Sequence, residues 1–263
     1  MNKIFKDNKA FIPFITCGYP SLEISEEIIY ALADNGADLI ELGIPFSDPV
    51  AEGAVIQKAS EEALKNGVST EAVFDMVARV RKKCDVALAF MTYANVVFSY
   101  GSRAFMQKAR DLGIVALLLP DVPFEEKREF EGVCEEFGIN LISFVAPTSI
   151  RRLEHITKQA KGFVYCVSSY GVTGVRETIS SDVKSMVDSI KCIRDIPVVV
   201  GFGISTPEQA KVISQYADGV VVGSAIVKLC AQYGKDAPKH IGMYAKAMKQ
   251  AMQESVANGM GKS

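Results

Sequence analysis

Gly36-Ala37-Asp38-Leu39-Ile40-Glu41-Leu42-Gly43 and Ala217-Asp218-Gly219-Val220-Val221-Val222 share one grammar, in which a helix stops, Ala-Asp follows, and a short, nearly all-apolar strand begins. Continuous apolar runs of this kind mark parallel strands covered by helices on both faces. Outward from these two phrases, similar runs recur, giving eight strands: Phe11–Cys17, Leu39–Gly43, Val86–Thr92, Val115–Leu119, Leu141–Val145, Phe163–Val167, Val198–Gly201 and Gly219–Val222. Stretches of helical period separate them. Examples are Ser21–Asn35 before Gly36, Ser69–Lys83, Ser102–Leu112 before Gly113, and Phe124–Phe137 before Gly138, and a glycine after the last periodic residue is a helix-stop signal. Eight alternating units predict an α/β fold, a single-domain (β/α)8 TIM barrel with extra helices over residues 1–263. An open doubly wound sheet competes with the barrel. Its G-x-G-x-x-G signature is missing after the first strand, where the chain reads Gly18-Tyr19-Pro20-Ser21.

The 263 residues would fit one domain or two, and no Ser/Gly-rich linker or shift of composition divides them. At 49% hydrophobic and 23% charged the chain can build a large core, which excludes wholesale disorder. Its 29 Lys and Arg against 31 Asp and Glu leave a net charge of -2, too little basic field for a nucleic-acid backbone or an anionic membrane. A small ligand is the expectation. The apolar stretch Ile114–Pro120 is far short of the roughly 20 residues needed to span a bilayer. Met1–Lys9 has no secretory apolar core, so a cytoplasmic location is expected. Cys17, Cys84, Cys134, Cys166, Cys192 and Cys230 stand singly and read as small buried hydrophobes in a reducing compartment. The two histidines, His155 and His240, fall in helical, charged segments and read as surface residues. That removes the commonest general base and most metal sites.

Two connections exceed what the barrel requires, Ile44–Ala54 after the second strand and Ser168–Asp182 after the sixth. Both follow carboxyl ends of strands, where barrel enzymes carry their chemistry. Glu41 lies inside the apolar strand Leu39–Gly43. A carboxylate buried without a partner raises its pKa and takes up a proton, the property a general acid needs at neutral pH. The competing reading is a structural glutamate satisfied by a Lys or Arg. In Ile44–Gly53, Asp48 between Ser47 and Pro49 reads as a turn-former, whereas Glu52 has no local structural reason to be acidic. Three glycine-bearing turns are candidate phosphate cradles: Gly171-Val172-Thr173-Gly174, Gly201-Phe202-Gly203-Ile204-Ser205, and Gly223-Ser224 opening a helix. Phe14, Phe202 and Tyr165 read equally as pocket wall or barrel core. No lysine sits within a strand to form a Schiff base, which leaves carboxylate acid/base chemistry on a phosphorylated substrate.

Together these segments resemble the tryptophan synthase alpha-subunit family from about Phe11 to Val227. The resemblance is carried by Phe11–Thr16, by Glu41-Leu42-Gly43-Ile44-Pro45-Phe46-Ser47-Asp48-Pro49, by Thr92-Tyr93-Ala94-Asn95, by Pro120-Asp121-Val122-Pro123, and by the glycine turns, the last continuing to Val227. It implies cleavage of indole-3-glycerol phosphate to indole and glyceraldehyde 3-phosphate. It also implies an α2β2 assembly with a beta subunit that carries the pyridoxal phosphate, this chain needing no cofactor or metal of its own. By the same resemblance Glu41 is the acid/base, Glu52 the second acid at the indole N–H, and Tyr165 the tyrosine beside Glu41. Gly174, Gly203, Gly223 and Ser224 match the phosphate binders, and Phe14, Leu118 and Phe202 the indole pocket. Thr173 falls in the lid motif of the 168–182 loop. Two departures stand out. Ala51-Glu52-Gly53-Ala54 replaces the usual Asp-Gly-Pro, and Pro120 stands where a small residue is usual. They keep open a free-standing lyase, another phosphosugar barrel, or a weakly active subunit that mainly activates its partner.

Overall fold

The apolar runs fold as short parallel strands in a computed structural model that describes residues 2–6, 9–167, 181–201 and 203–260. The strands are β1 (Ala10–Thr16), β2 (Leu39–Gly43), β3 (Ala87–Met91), β4 (Ile114–Leu118), β5 (Asn140–Leu141), β6 (Ser143–Val145), β7 (Val164–Val167), β8 (Val198–Gly201) and β9 (Gly219–Val222). Their order is β5-β4-β3-β2-β1-β9-β8-β7-β6, every neighbouring pair being parallel. Nine strands appear among the described residues where the sequence predicts eight, because the Leu141–Val145 run is divided at Ile142. Asn140 and Leu141 pair with β4, the Ile142 N–H donates to the Leu117 carbonyl at 3.0 Å, and Ser143–Val145 pair with β7. One chain segment thus passes from the last strand on one side of the sheet to the last on the other. Eight strand positions go round, as in a (β/α)8 barrel.

Helices cover the outside: α1 (Asn2–Phe5), α2 (Leu22–Asp34), α3 (Ala54–Lys65), α4 (Thr70–Val80), α5 (Ala94–Tyr100), α6 (Ser102–Asp111), α7 (Arg128–Glu136), α8 (Leu153–Gln159), α9 (Ser181–Ile193), α10 (Pro207–Ser214), α11 (Ser224–Tyr233) and α12 (Ala237–Met260). Among the described residues four helices exceed the eight of the barrel, since α1 precedes the first strand and two helices follow each of β2, β3 and β9; the last of them, α12, packs on α2 and α10. No described helix is long and apolar enough to cross a membrane.

The Ala-Asp grammar has a structural reason. Asp38 accepts a hydrogen bond from the Phe11 N–H at 2.7 Å and returns one from its own amide to the Phe11 carbonyl at 3.0 Å. Asp218 does the same with Val198, at 2.9 and 2.8 Å. Each aspartate stitches its strand to the adjacent one at the amino-terminal face of the barrel, and Lys249 and Lys191 supply the counter-charges at 2.7 and 2.9 Å. With that face committed to stability, the carboxyl-terminal face is left for chemistry. The cysteines are all unpaired, and Cys17, Cys134, Cys166 and Cys230 are buried. Cys84 is half-buried and Cys192 exposed, which corrects the uniform burial expected of them; Cys192 lies in the last turn of an outer helix, α9, on its solvent side.

Candidate active site

Glu41 sits in the middle of β2, in register with Phe14 on β1 and Ala89 on β3. Its residue is 1% exposed, and neither carboxylate oxygen has a hydrogen-bond partner among the described residues. Among the described residues no cation pairs with it, which leaves the structural ion-pair reading without a partner there. Burial pushes its pKa up to about 8, which keeps it a neutral acid at physiological pH. An orphaned buried carboxyl is costly, and such a group is retained where something else uses it.

It opens into a cavity of about 270 Å³ at the carboxyl ends of the strands. Phe14, Met91 and Val221 form the apolar floor around Glu41, and Ala51–Gly53 with Val55 and Ile56 form one wall. Tyr165, on β7, also lines the cavity. The ring of Tyr165 packs against Phe144 with centroids 5.0 Å apart. Burial, followed by the Glu41 charge, drives its pKa well above the ordinary tyrosine value, so the phenol stays protonated. Its position depends on Gly201 of β8, since a Cβ there would overlap the tyrosine hydroxyl. Gly43 leaves room for the Phe14 ring in the same way. Gly201→Ala is therefore expected to displace Tyr165 within the cavity and lower kcat/KM about tenfold, since a misplacement of about 1 Å can cost more than that. Steady-state assay of the folded variant checks this, and a wild-type value would show that Tyr165 does not depend on the gap.

The second acid is held differently. Glu52 is 7% exposed, and its carboxylate accepts a hydrogen bond from the Tyr93 hydroxyl. The Ala51 N–H donates to that same hydroxyl at 3.2 Å, and Phe46 stacks on the Tyr93 ring at 4.9 Å. Tyr93 stands just before α5, whose first amide, Ala94 N–H, is bound by Asp121 at 3.0 Å. Burial raises the Glu52 pKa and the Asp121 charge adds to this, while the Tyr93 hydrogen bond and Glu52's own amide pull it back. The cavity so holds two acids in unlike settings, one orphaned and one hydrogen-bonded, which is how paired carboxyls divide proton donation and charge stabilisation.

The far end is built for an anion. α2, α4 and α10 are each capped by a side chain, from Ser21, Ser69 and Thr206. α11 has Gly223 at its cap with no side-chain bond, so its first N–H groups remain available to a ligand. Gly203, Ile204 and Ser205 border the same end. That turn is pinned by Gln209, whose Oε1 accepts from the Ser205 N–H at 2.8 Å, and by the Tyr244 hydroxyl on the Ser205 carbonyl at 2.9 Å. Gly203 has φ +80, a conformation that favours glycine.

Of the residues singled out from sequence, Glu41, Glu52, Tyr165, Phe14, Gly203, Gly223 and Ser224 line this one cavity. Leu118 is fully buried at the end of β4 and does not line it; Met91, its register partner on β3, does. Thr173, Gly174 and Phe202 lie outside the described residues, as does the loop up to residue 180. Asp48 is exposed and accepts from the Ser47 hydroxyl, as a turn-former does. His155 is exposed, and His240 is half-buried, stacked on Tyr233. No cluster of possible metal ligands occurs among the described residues. Sequence reasoning missed Tyr93, Met91 and Lys228. Tyr93 falls within a motif that was legible, but its contact with Glu52 crosses 41 residues.

Comparison with known proteins bears on this geometry. The family model described as tryptophan synthase alpha chain matches residues 1–257. The tryptophan synthase alpha chain of Lacticaseibacillus casei is 45% identical over 249 residues, covering 95% of this chain and 94% of that one. That of Lactiplantibacillus plantarum is 42% identical and covers 98% of both. Among solved structures, a chain from the tryptophan synthase α2β2 complex of Pyrococcus furiosus superimposes with a TM-score of 0.85 at 36% identity, over 92% of this chain and 98% of that one. A barrel with an orphaned acid, a second acid and a glycine-built anion end is thus matched along nearly its whole length, and the chain belongs to the tryptophan synthase alpha chain family.

Proposed function

We propose that the chain cleaves indole-3-glycerol phosphate to indole and D-glyceraldehyde 3-phosphate in tryptophan biosynthesis, as the alpha subunit of an α2β2 complex. Glu41 carries the reading, as a neutral, unpartnered acid at the floor of a cavity whose other end offers backbone N–H groups. In the first step the Glu41 proton goes to indole C3, leaving a positive indolenine and the Glu41 carboxylate. In the second, that carboxylate takes the proton of the glycerol hydroxyl next to the ring. The oxygen's electrons form the aldehyde C=O, and the carbon–carbon bond pair returns to the ring as indole. The proton count closes with Glu41 protonated again. Glu52 accepts the indole N–H and stabilises the cation; its carboxylate has lone pairs for both that donor and Tyr93. Gly203, Gly223 and Ser224 hold the phosphate, and by the family's pattern Gly174 joins them and Thr173 belongs to the lid motif. Phe14 and Met91 shape the indole end, with Leu118 packed behind Met91 and Phe202 assigned there by the family's pattern alone.

The reaction needs no cofactor in this chain, pyridoxal phosphate belonging to the beta partner. The similar Pyrococcus furiosus chain comes from an α2β2 complex with mutual activation, which supports such a partnership. Unpaired cysteines support a cytoplasmic setting. The test is to supply indole-3-glycerol phosphate with and without a beta subunit and to measure glyceraldehyde 3-phosphate. Turnover that rises on adding the partner is expected. No turnover in either case refutes the lyase, and full turnover alone shows a free-standing enzyme.

A further inference from the structure

Two carboxyls and one ammonium line the cavity: Glu41, Glu52 and Lys228. Lys228 has no part in the chemistry described above, and among the described residues no carboxylate pairs with it. It lies on α11 four residues after Ser224, so the two side chains share one face of the helix a turn apart. Long helical side chains lean toward the amino terminus, and here that end is the glycine-capped one with the uncommitted N–H groups. Many other Lys and Arg residues of this chain are tied to carboxylates or carbonyls away from this cavity; Lys9, Arg81, Arg194 and Lys249 are examples. Among the described residues, Lys228 is the one cation that lines the cavity.

We propose that Lys228 is a substrate-binding residue that takes the second negative charge of the phosphate, so that the chain selects a phosphate dianion over an uncharged or singly charged headgroup. This rests on the lyase reading and deepens it. The backbone N–H groups of a helix start present about half a unit of positive charge, too little for a dianion entering a cavity that already holds two acids. Burial keeps Glu41 neutral and raises Glu52, which limits the repulsion but supplies no attraction. An ammonium at the rim does, and its exposure lets the product leave.

The experiment titrates the folded chain with glycerol 3-phosphate and with inorganic phosphate by calorimetry, with indole as the uncharged control, in parent, Lys228→Met and Lys228→Arg. Lys228→Met is expected to weaken both phosphates about five- to tenfold, to leave indole binding as in the parent, and to flatten the ionic-strength dependence. Lys228→Arg restores the affinity. In turnover the loss appears in KM for indole-3-glycerol phosphate and not in kcat. Equal phosphate affinity in parent and Lys228→Met overturns the assignment of Lys228, while a parent that binds neither phosphate overturns the reading of the cavity itself. Loss of indole binding together with phosphate binding would mark a collapsed cavity and also refute a role specific to charge.

Discussion

Glu41→Gln is expected to lower kcat for indole-3-glycerol phosphate cleavage by about 10³-fold, the range for removing a positioned general acid. The amide keeps the shape of the side chain and its place in β2, but it can neither give a proton to C3 nor accept one from the hydroxyl. The parent enzyme should lose kcat/KM as pH rises through about 8, where Glu41 ionises. The same group makes a second, opposite prediction for stability. An unfolded glutamate titrates near its ordinary value and the folded one near 8, so between those values the native state binds the extra proton. Stability is then full at low pH and is lost as pH climbs from about 4.5 to 8. Glutamine has no such dependence. Urea melts should therefore find the variant close to the parent at pH 5 and more stable by about 2–4 kcal/mol at pH 9. Near-parent turnover would refute the catalytic assignment. A stability difference that does not change with pH would show that Glu41 is not the neutral buried acid its setting requires.

That double signature was half visible in the sequence. A single acidic residue within Leu39–Gly43 stands out against a strand apolar on both faces, and the structure gives this strand those same bounds. Period and helix-stop glycines likewise expose the barrel, because parallel strands and amphipathic helices bury by local pattern. The division of the fifth strand position at Ile142 was not legible, since it depends on which neighbour each half meets. Tyr93 was hidden for the same reason, and so was Lys228, which looks like any exposed helical lysine until Gly223 and Ser224 are placed beside it in the cavity. What escapes local reading is pairing across sequence distance, and a site assembled from six strand ends consists largely of that.

Glu52→Gln is expected to cost about 10² in kcat, the magnitude found when one preorganised group facing a developing charge is lost. Glutamine can still accept from the indole N–H, but it brings no negative charge to the indolenine. Tyr93 acts through Glu52. Its hydroxyl donates to the carboxylate and favours the ionised form against burial and Asp121. Tyr93→Phe removes that donor, so the Glu52 pKa rises further and the acid limb of the kcat profile moves to higher pH. The variant is expected to lose most at low pH and to recover toward the parent as pH rises, until the Glu41 limb near 8 cuts in for both. A double-mutant cycle separates this from simple packing, because the Tyr93 ring also stacks on Phe46. If the hydroxyl works through the carboxylate, Tyr93→Phe added to Glu52→Gln costs less than about twofold, the second change having nothing left to act on. If it costs the same in both backgrounds, Tyr93 is only a wall of the cavity. The longer acid in the Ala51-Glu52-Gly53-Ala54 turn would then lack the partner that holds its charge where the indole nitrogen arrives.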